Sequence, residues 1–382
     1  MQPTHKYLSN LTPLRGIAAL WVVVFHFSEI IAKFVSVDRT LLLTKGYLMV
    51  DLFFIMSGFI ICHVYQKSFQ SGFSPGSFRQ FIVARFARIY PLHFVTLLLC
   101  ILIFVPTFGW DPLFDNPRAI PTNLLLIHSF GIHKLFNWNV PSWSISAEWW
   151  AYMVFPFLAI FLYRKKGIAI ALLAVFALLA YLSIIYWLPR VNIFDPTSPH
   201  RQNLDVTFDY GFLRGLAGFI SGMLVYRAYE SRLLENFFRK DISALIFVMA
   251  SIICMHFGWN DGFNIIFFIG VVYAFALNSG RLHVLCNGRI AQYLGKISYS
   301  IYLMQLFPIV PLWLGVKLSG LVYDIKNPNN TATTSFWIGV GYCLIYIGLV
   351  IGVSSLTYFT IEKPCRKWIN AKWGKEVMPV YA

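Results

Sequence analysis

Charge is scarce in this sequence. Charged residues fill 12% of its 382 positions, against about 25% in soluble globular domains. So few solvated side chains exclude an ordinary water-soluble domain. They also exclude a long disordered chain, which needs high charge and low hydrophobicity. Acids are the scarcer kind: 16 Asp and Glu stand against 31 Lys and Arg, a formal net charge of +15. Cysteine is sparse as well. Its six positions (62, 100, 254, 286, 343 and 365) contain no C-x-x-C pair, and most lie in apolar runs. That pattern excludes a disulfide framework and a thiolate metal site; these residues read as small hydrophobes. A cleavable signal peptide is also missing. The first apolar run opens on Arg15 and continues toward Val37 without an A-x-A exit, so it reads as an uncleaved span.

What remains is apolar. Hydrophobic residues make up 58% of the chain, and the mean hydropathy is +0.65. Apolar runs approach the roughly 20 residues that cross a bilayer as a helix. The expected fold is all-α: one polytopic transmembrane bundle over 1–382. Ten spans are expected near 14–36, 46–65, 82–105, 143–163, 167–188, 210–229, 242–258, 262–279, 297–316 and 335–360. The segment 120–135 is too short to cross, and is expected to re-enter the membrane or lie on its surface. With the N-terminus inside, most of the basic residues fall on one side, among them Arg79, Arg85, Arg88, Arg164, Lys165, Arg239, Lys240, Lys363, Arg366 and Lys367. The positive-inside rule then places both termini in the cytoplasm. It also accounts for most of the net charge, leaving membrane lipid and not nucleic acid as the partner. Tryptophan leans the other way: Trp110, Trp138, Trp143, Trp149, Trp150, Trp187, Trp259, Trp313 and Trp337 fall near the outer ends of spans. They form either a one-sided interfacial belt or a platform for something apolar-faced, such as sugar rings.

The chain is organised around its first span, Leu14 to Phe27. At about 100° per residue, eleven steps bring His26 to within roughly 20° of the Arg15 face. At ~1.5 Å per residue His26 lies about 16 Å deeper, near the bilayer midplane. Glu29 follows at i,i+3 on that face. Ionisable residues at such depth are costly and mark function by default. In the second span, Asp51 is read as an ion pair or polar network near the outer end, with a part in orienting the histidine as the alternative. Ser57-Gly58 beside it reads as helix packing. Arg85 and Arg88 form an i,i+3 pair at the cytoplasmic end of the third span. A guanidinium fork suits phosphate, and positive-inside anchoring is the competing reading. The fourth span opens Pro141-Ser142-Trp143-Ser144-Ile145-Ser146-Ala147-Glu148. Its serines suit a helix start, and Glu148 stacks on Tyr152 at i,i+4.

Six motifs occur in order: R-G-x-A-A before His26, D-L-F-F-x-x-S-G-F, R-x-x-R-I-Y-P, P-S-W-S-x-x-x-E, S-Y-S-I-Y-L and I-E-K-P. From Leu14 to Pro364 the chain resembles the integral-membrane acyltransferase-3 family. The resemblance implies transfer of an acyl group, usually acetyl from cytoplasmic acetyl-CoA, to a hydroxyl of an envelope or exported carbohydrate or glycolipid. No metal is implied. The expected location is a bacterial inner membrane. His26 matches the family's catalytic histidine and Arg15 its first-helix arginine. Arg85 and Arg88 match the pair associated with acyl-CoA, and Glu148 the W-S-x-x-x-E carboxylate. Gln305 departs from the pattern, since many members carry histidine there. Some members append an extracellular hydrolase-like domain; none is expected here. The chemistry agrees: a neutral imidazole can take the proton of an attacking hydroxyl, or can itself be acylated, with Glu29 or Asp51 orienting the ring. A secondary transporter or lipid flippase is the alternative, although no matching Gly/Pro-broken halves are found. A sensor or scaffold would not need Arg15 and His26 in register.

Overall fold

The computed structural model describes residues 8–31, 40–108, 116–188, 202–309, 311 and 336–374. They form helices, and no strand occurs among the described residues. The longer helices are α1 (Leu11–Ile31), α2 (Met49–Tyr65), α3 (Pro75–Leu99), α4 (Trp143–Arg164), α5 (Lys166–Tyr186) and α6 (Gly211–Glu230). They continue with α7 (Asp241–His256), α8 (Asp261–Leu277), α9 (Arg281–Cys286), α10 (Arg289–Lys296), α11 (Ser298–Met304), α12 (Phe336–Thr357) and α13 (Lys363–Trp373). Among the described residues, five helical stretches are long and apolar enough to cross a membrane: Thr44–Ser68, Pro75–Phe104, Val140–Arg164, Gly167–Tyr186 and Gly339–Trp373. Shorter apolar helices cover Leu11–Phe27, Asp241–His256 and Asp261–Leu277. This is the expected helical membrane bundle.

The bundle is built on α2. It packs most extensively on α6, and also touches α1, α4 and α8. The α2–α6 seam rests on two missing side chains. A Cβ on Gly58 would strike the Phe219 carbonyl, and one on Gly222 the Ile55 carbonyl. Without a hydrophobic drive between helices in lipid, close backbone approach of this kind supplies the packing energy. The sequence reading of Gly58 as a packing residue holds. α1 lies between two cores. One face packs into the main core with Phe54, Phe59 and Phe219; the other packs Ala19, Val23 and Phe27 against Ile301, Tyr346 and Val350. Helix α5 is peripheral, and Leu172, Val175, Leu178 and Leu179 point away from the protein.

Three expectations need correction or refinement. Within the ninth span, expected over 297–316, the helix Ser298–Met304 is interrupted by a turn, with Phe307 and Ile309 donating to the carbonyls three residues back, before Ile309 and Pro311 are helical again; 310 and 312–316 lie outside the described residues. Pro308 lacks an N–H and disfavours helix in the residue before it. The segment 120–135 does not cross. It makes one helical turn, Ile120–Leu124, and then folds against the bundle. Its Leu126 carbonyl accepts from the Ser146 hydroxyl (2.6 Å) and from the Trp150 indole (2.9 Å). His128 stacks flat on His93 of α3 at 5.9 Å. Burial beside that ring pushes the His128 imidazole down to about 3, so it sits neutral in the loop. Finally, the tryptophans are not one exposed platform. Trp138 and Trp143 are buried, whereas Trp187, Trp259 and Trp337 are exposed; Trp110 and Trp313 lie outside the described residues.

Candidate active site

A cavity opens between α1, α2, α3, α4 and α11. Arg15, Ser57, Arg85, Arg88, Glu148 and Tyr152 line it, on walls otherwise built of apolar side chains such as Leu11, Phe53 and Ile145. Four helices, α1 to α4, therefore deliver three guanidiniums, a carboxylate and the Ser57 and Tyr152 hydroxyls to one space, and α11 closes it with Ser298, Tyr299 and Tyr302. The periodicity of each helix explains its contribution. Arg85 and Arg88 share a face of α3 at i,i+3, and Glu148 and Tyr152 share a face of α4 at i,i+4.

Glu148 is held from two sides. The Ser57 hydroxyl donates to its Oε1 at 2.6 Å, and the Tyr152 hydroxyl to the same atom at 2.5 Å. The seryl oxygen and the Tyr152 hydroxyl also lie 3.2 Å apart. Ser57, read from sequence as packing, is thus a site residue. The sequence placed it beside Gly58 and gave no signal that a carboxylate 91 positions away would face it.

The two arginines of α3 do not act as one free fork. Arg88 is ion-paired with Glu362, whose other oxygen accepts from the Ser300 hydroxyl at 2.7 Å. The Arg88 guanidinium also lies 5.4 Å over the Tyr299 ring. Arg85 instead donates to the Tyr65 hydroxyl at 3.2 Å and sits over the Tyr65 and Tyr152 rings. Each keeps a buried N–H with no hydrogen-bond partner among the described residues: Nε of Arg85 and Nη2 of Arg88. Arg15 reaches the cavity from the first turns of α1. Three guanidiniums face two carboxylates, Glu148 and Glu362, so the cavity retains positive charge and donors still seeking an acceptor. It can take an anion with oxygen acceptors, such as phosphate. Glu362 belongs to the I-E-K-P motif, and its helix end meets α3 only after the chain has returned across the bundle. Among the described residues, no cluster of His, Cys, Asp and Glu able to hold a metal ion occurs.

The remaining sequence candidates lie apart from this cavity. His26 is further along α1 and does not line it. Its Nδ1 is 3.0 Å from the Val22 carbonyl and 3.2 Å from Oε1 of Gln305. Asp51 is sealed in an ion pair with Arg214 of α6 (2.6 Å), and both side chains are fully buried. Arg214 also donates to the Tyr47 and Val206 carbonyls at 2.8 and 3.1 Å. The ion-pair reading of Asp51 matches this geometry, and Gln305, not Asp51, is the side chain that meets the histidine ring. Glu29 falls in the last turn of α1, where side chains lie outside the described residues. The sequence missed Glu362, Ser300 and Tyr299 as a support for Arg88, because their pairing needs α3, α11 and the end of α12 together.

A family model described as an acyltransferase domain matches residues 9–359. Acyltransferase MdmB of Streptomyces mycarofaciens is 35% identical over 167 residues, 41% of this chain and 40% of its own length. Peptidoglycan O-acetyltransferase OatA of Listeria monocytogenes is 23% identical over 384 residues, 95% of this chain and 56% of its own length. The chain spans about half the length of the curated relatives it matches. No solved structure matches it.

Proposed function

Because the chain belongs to the acyltransferase-3 family, whose domain model covers residues 9–359, we propose that it is a membrane O-acyltransferase moving an acyl group, acetyl foremost, from acyl-CoA to a hydroxyl of an envelope or exported carbohydrate. The observation that carries this is the convergence of Arg15, Arg85 and Arg88 with Glu148 on one cavity inside an apolar bundle. Burying three guanidiniums is costly unless anionic ligands meet them. CoA offers several phosphates, and its long flexible arm suits the apolar remainder of the walls. The positive-inside asymmetry supports a cytoplasmic mouth for that cavity and cytoplasmic termini in a bacterial inner membrane.

In the reaction, the acceptor hydroxyl oxygen bonds to the thioester carbonyl carbon and the carbon–sulfur bond breaks. His26 takes the hydroxyl proton and returns it to the departing sulfur, so CoA leaves as the thiol. Acylation of His26 followed by transfer is the second route to the same products. The relatives that match over nearly the whole chain, OatA among them, support a glycan acceptor.

The test uses the full chain in lipid nanodiscs. It should bind acetyl-CoA, release thiol when glycan fragments are added, and bind the donor more weakly on Arg15→Ala or Arg85→Ala. A well-inserted protein that neither binds nor consumes acetyl-CoA would instead favour transport of a lipid-linked or solute substrate.

A further inference from the structure

Gln305 stands where α11 gives way to the turn before Pro308, and it is fully buried. Two bonds fix it. Its side-chain Nε2 donates to the Tyr302 carbonyl at 2.7 Å. Its own carbonyl accepts from the Tyr346 hydroxyl at 2.6 Å. Tyr346 in turn stacks on Phe27, the residue after His26, at 4.8 Å. In the family pattern that the sequence resembles, many members carry histidine at this position.

The amide has one sensible orientation. Turning it over would set Oε1 at 2.7 Å from the Tyr302 carbonyl, two acceptors with no hydrogen between them. Oε1 is therefore the atom that faces His26, 3.2 Å from Nδ1. The Val22 carbonyl, 3.0 Å away, faces the same nitrogen. A ring nitrogen set between two acceptors must carry the hydrogen. In neutral imidazole the other nitrogen is then bare.

We infer that Gln305 is a positioning residue: it holds His26 in the Nδ1–H form, so that Nε2 is the nitrogen free to take a proton or an acyl group. The Val22 carbonyl alone would not suffice. It sits one turn back on the same helix and can follow the ring as it rotates, whereas Gln305 is anchored 279 positions away. Glutamine also does this without titrating, so the histidine's partner stays neutral at every working pH. The catalytic consequence rests on the acyl-transfer reading; the ring's protonation does not.

The experiment separates the two. Full-length protein carrying 15N-histidine is placed in nanodiscs, and the His26 ring signals are identified by their loss in His26→Ala. The wild type should show a protonated Nδ1 and a bare Nε2. Gln305→Met, which keeps the length but removes the acceptor, should shift both signals toward a mixture of forms. Gln305→Glu, nearly isosteric and so a guard against misfolding, should keep the Nδ1 proton. In thiol release from acetyl-CoA, Gln305→Met should lower kcat about 10- to 100-fold, as for partners that orient metal-bound imidazoles, with KM for acetyl-CoA unchanged. Gln305→Glu should recover much of that rate and move the acid limb of the pH profile to higher pH. A wild-type ring protonated on Nε2, or His26 signals unmoved in Gln305→Met, would overturn the inference. Signals that behave as described in a protein inert toward acetyl-CoA would uphold it and reject the acyltransferase reading instead.

Discussion

His26 and Arg15 share a helix face but not an environment. Arg15 looks into the charged cavity, whereas His26 is turned to Val22 and Gln305. Binding and chemistry should therefore come apart on mutation. His26→Ala should lose transfer by roughly a hundred- to ten-thousand-fold, the usual cost of a missing general base, while acetyl-CoA titrations remain near wild type. Loss of donor binding in that variant would move His26 from chemistry to donor recognition. The α3 arginines should also come apart. Arg85, whose partners among the described residues are a tyrosine hydroxyl and two rings, should on change to Ala weaken donor binding by about 1–3 kcal/mol. Arg88 is different. Its removal leaves the Glu362 carboxylate, 1% exposed, without its cation, and breaking such a pair costs about 3–5 kcal/mol. Arg88→Ala should thus lower the melting temperature in detergent well beyond Arg85→Ala. The double variant Arg88→Met, Glu362→Leu should regain stability but not donor binding.

At the scale of elements, the α2–α6 seam and the folded-in loop before α4 carry the site. Ser57 faces Glu148 one residue before Gly58 brings α2 onto α6. Gly58→Val should force the two backbones apart and cost stability and activity together; the measurement is thermal unfolding beside thiol release. Gly167 and Gly341, with nothing within reach of a Cβ, serve as controls that should tolerate Ala. The loop has a pH signature. His128 is neutral in place, down at about 3 against an ordinary 6.5. The opened loop binds a proton more readily, so closure weakens as pH falls below 6.5, and the loss continues until the buried ring itself protonates. Hydrogen exchange over 125–142 should quicken between pH 7.5 and 5. His128→Gln should weaken that dependence, with His133 of the same loop left to contribute; equal exchange at both pH values in the wild type would contradict it.

At the scale of the whole molecule, the proposed reaction depends on sidedness. The proposed transfer, from a cytoplasmic acyl donor to an acceptor outside, requires a bundle with a fixed orientation, and the asymmetry of basic residues is the argument for one. A cysteine probe at Thr197, which lies outside the described residues, should label from outside the cell, and one at Lys165 should not. The reverse pattern would invert the donor cavity and remove the case for cytoplasmic acyl-CoA. The bundle itself is closed by polar clamps that lie away from the cavity. Asp51–Arg214 joins α2 to α6, and Asp261 collects Lys45, Tyr47 and the Leu204 amide at 2.5, 2.8 and 2.7 Å. These pairs sit at the ends of helices and hold the segments around Lys45 and Leu204 to the bundle.

The sequence by itself determined the class of fold, because apolar runs of bilayer length and a lack of charge leave a chain few alternatives to a helix bundle. It also determined which residues share a face: Arg15 with His26, Arg85 with Arg88, Glu148 with Tyr152. Helical periodicity is local and needs no partner. It could not say what each face meets. Whether Asp51 serves the histidine or an arginine, whether Ser57 packs or donates, and what holds Arg88 all depend on contacts spanning tens to hundreds of positions. The Arg88–Glu362 pair and the Gln305 oxygen at His26 bridge 274 and 279 positions. No spacing along a chain encodes such meetings, because they arise only when the packing of every intervening helix has fixed which faces come together.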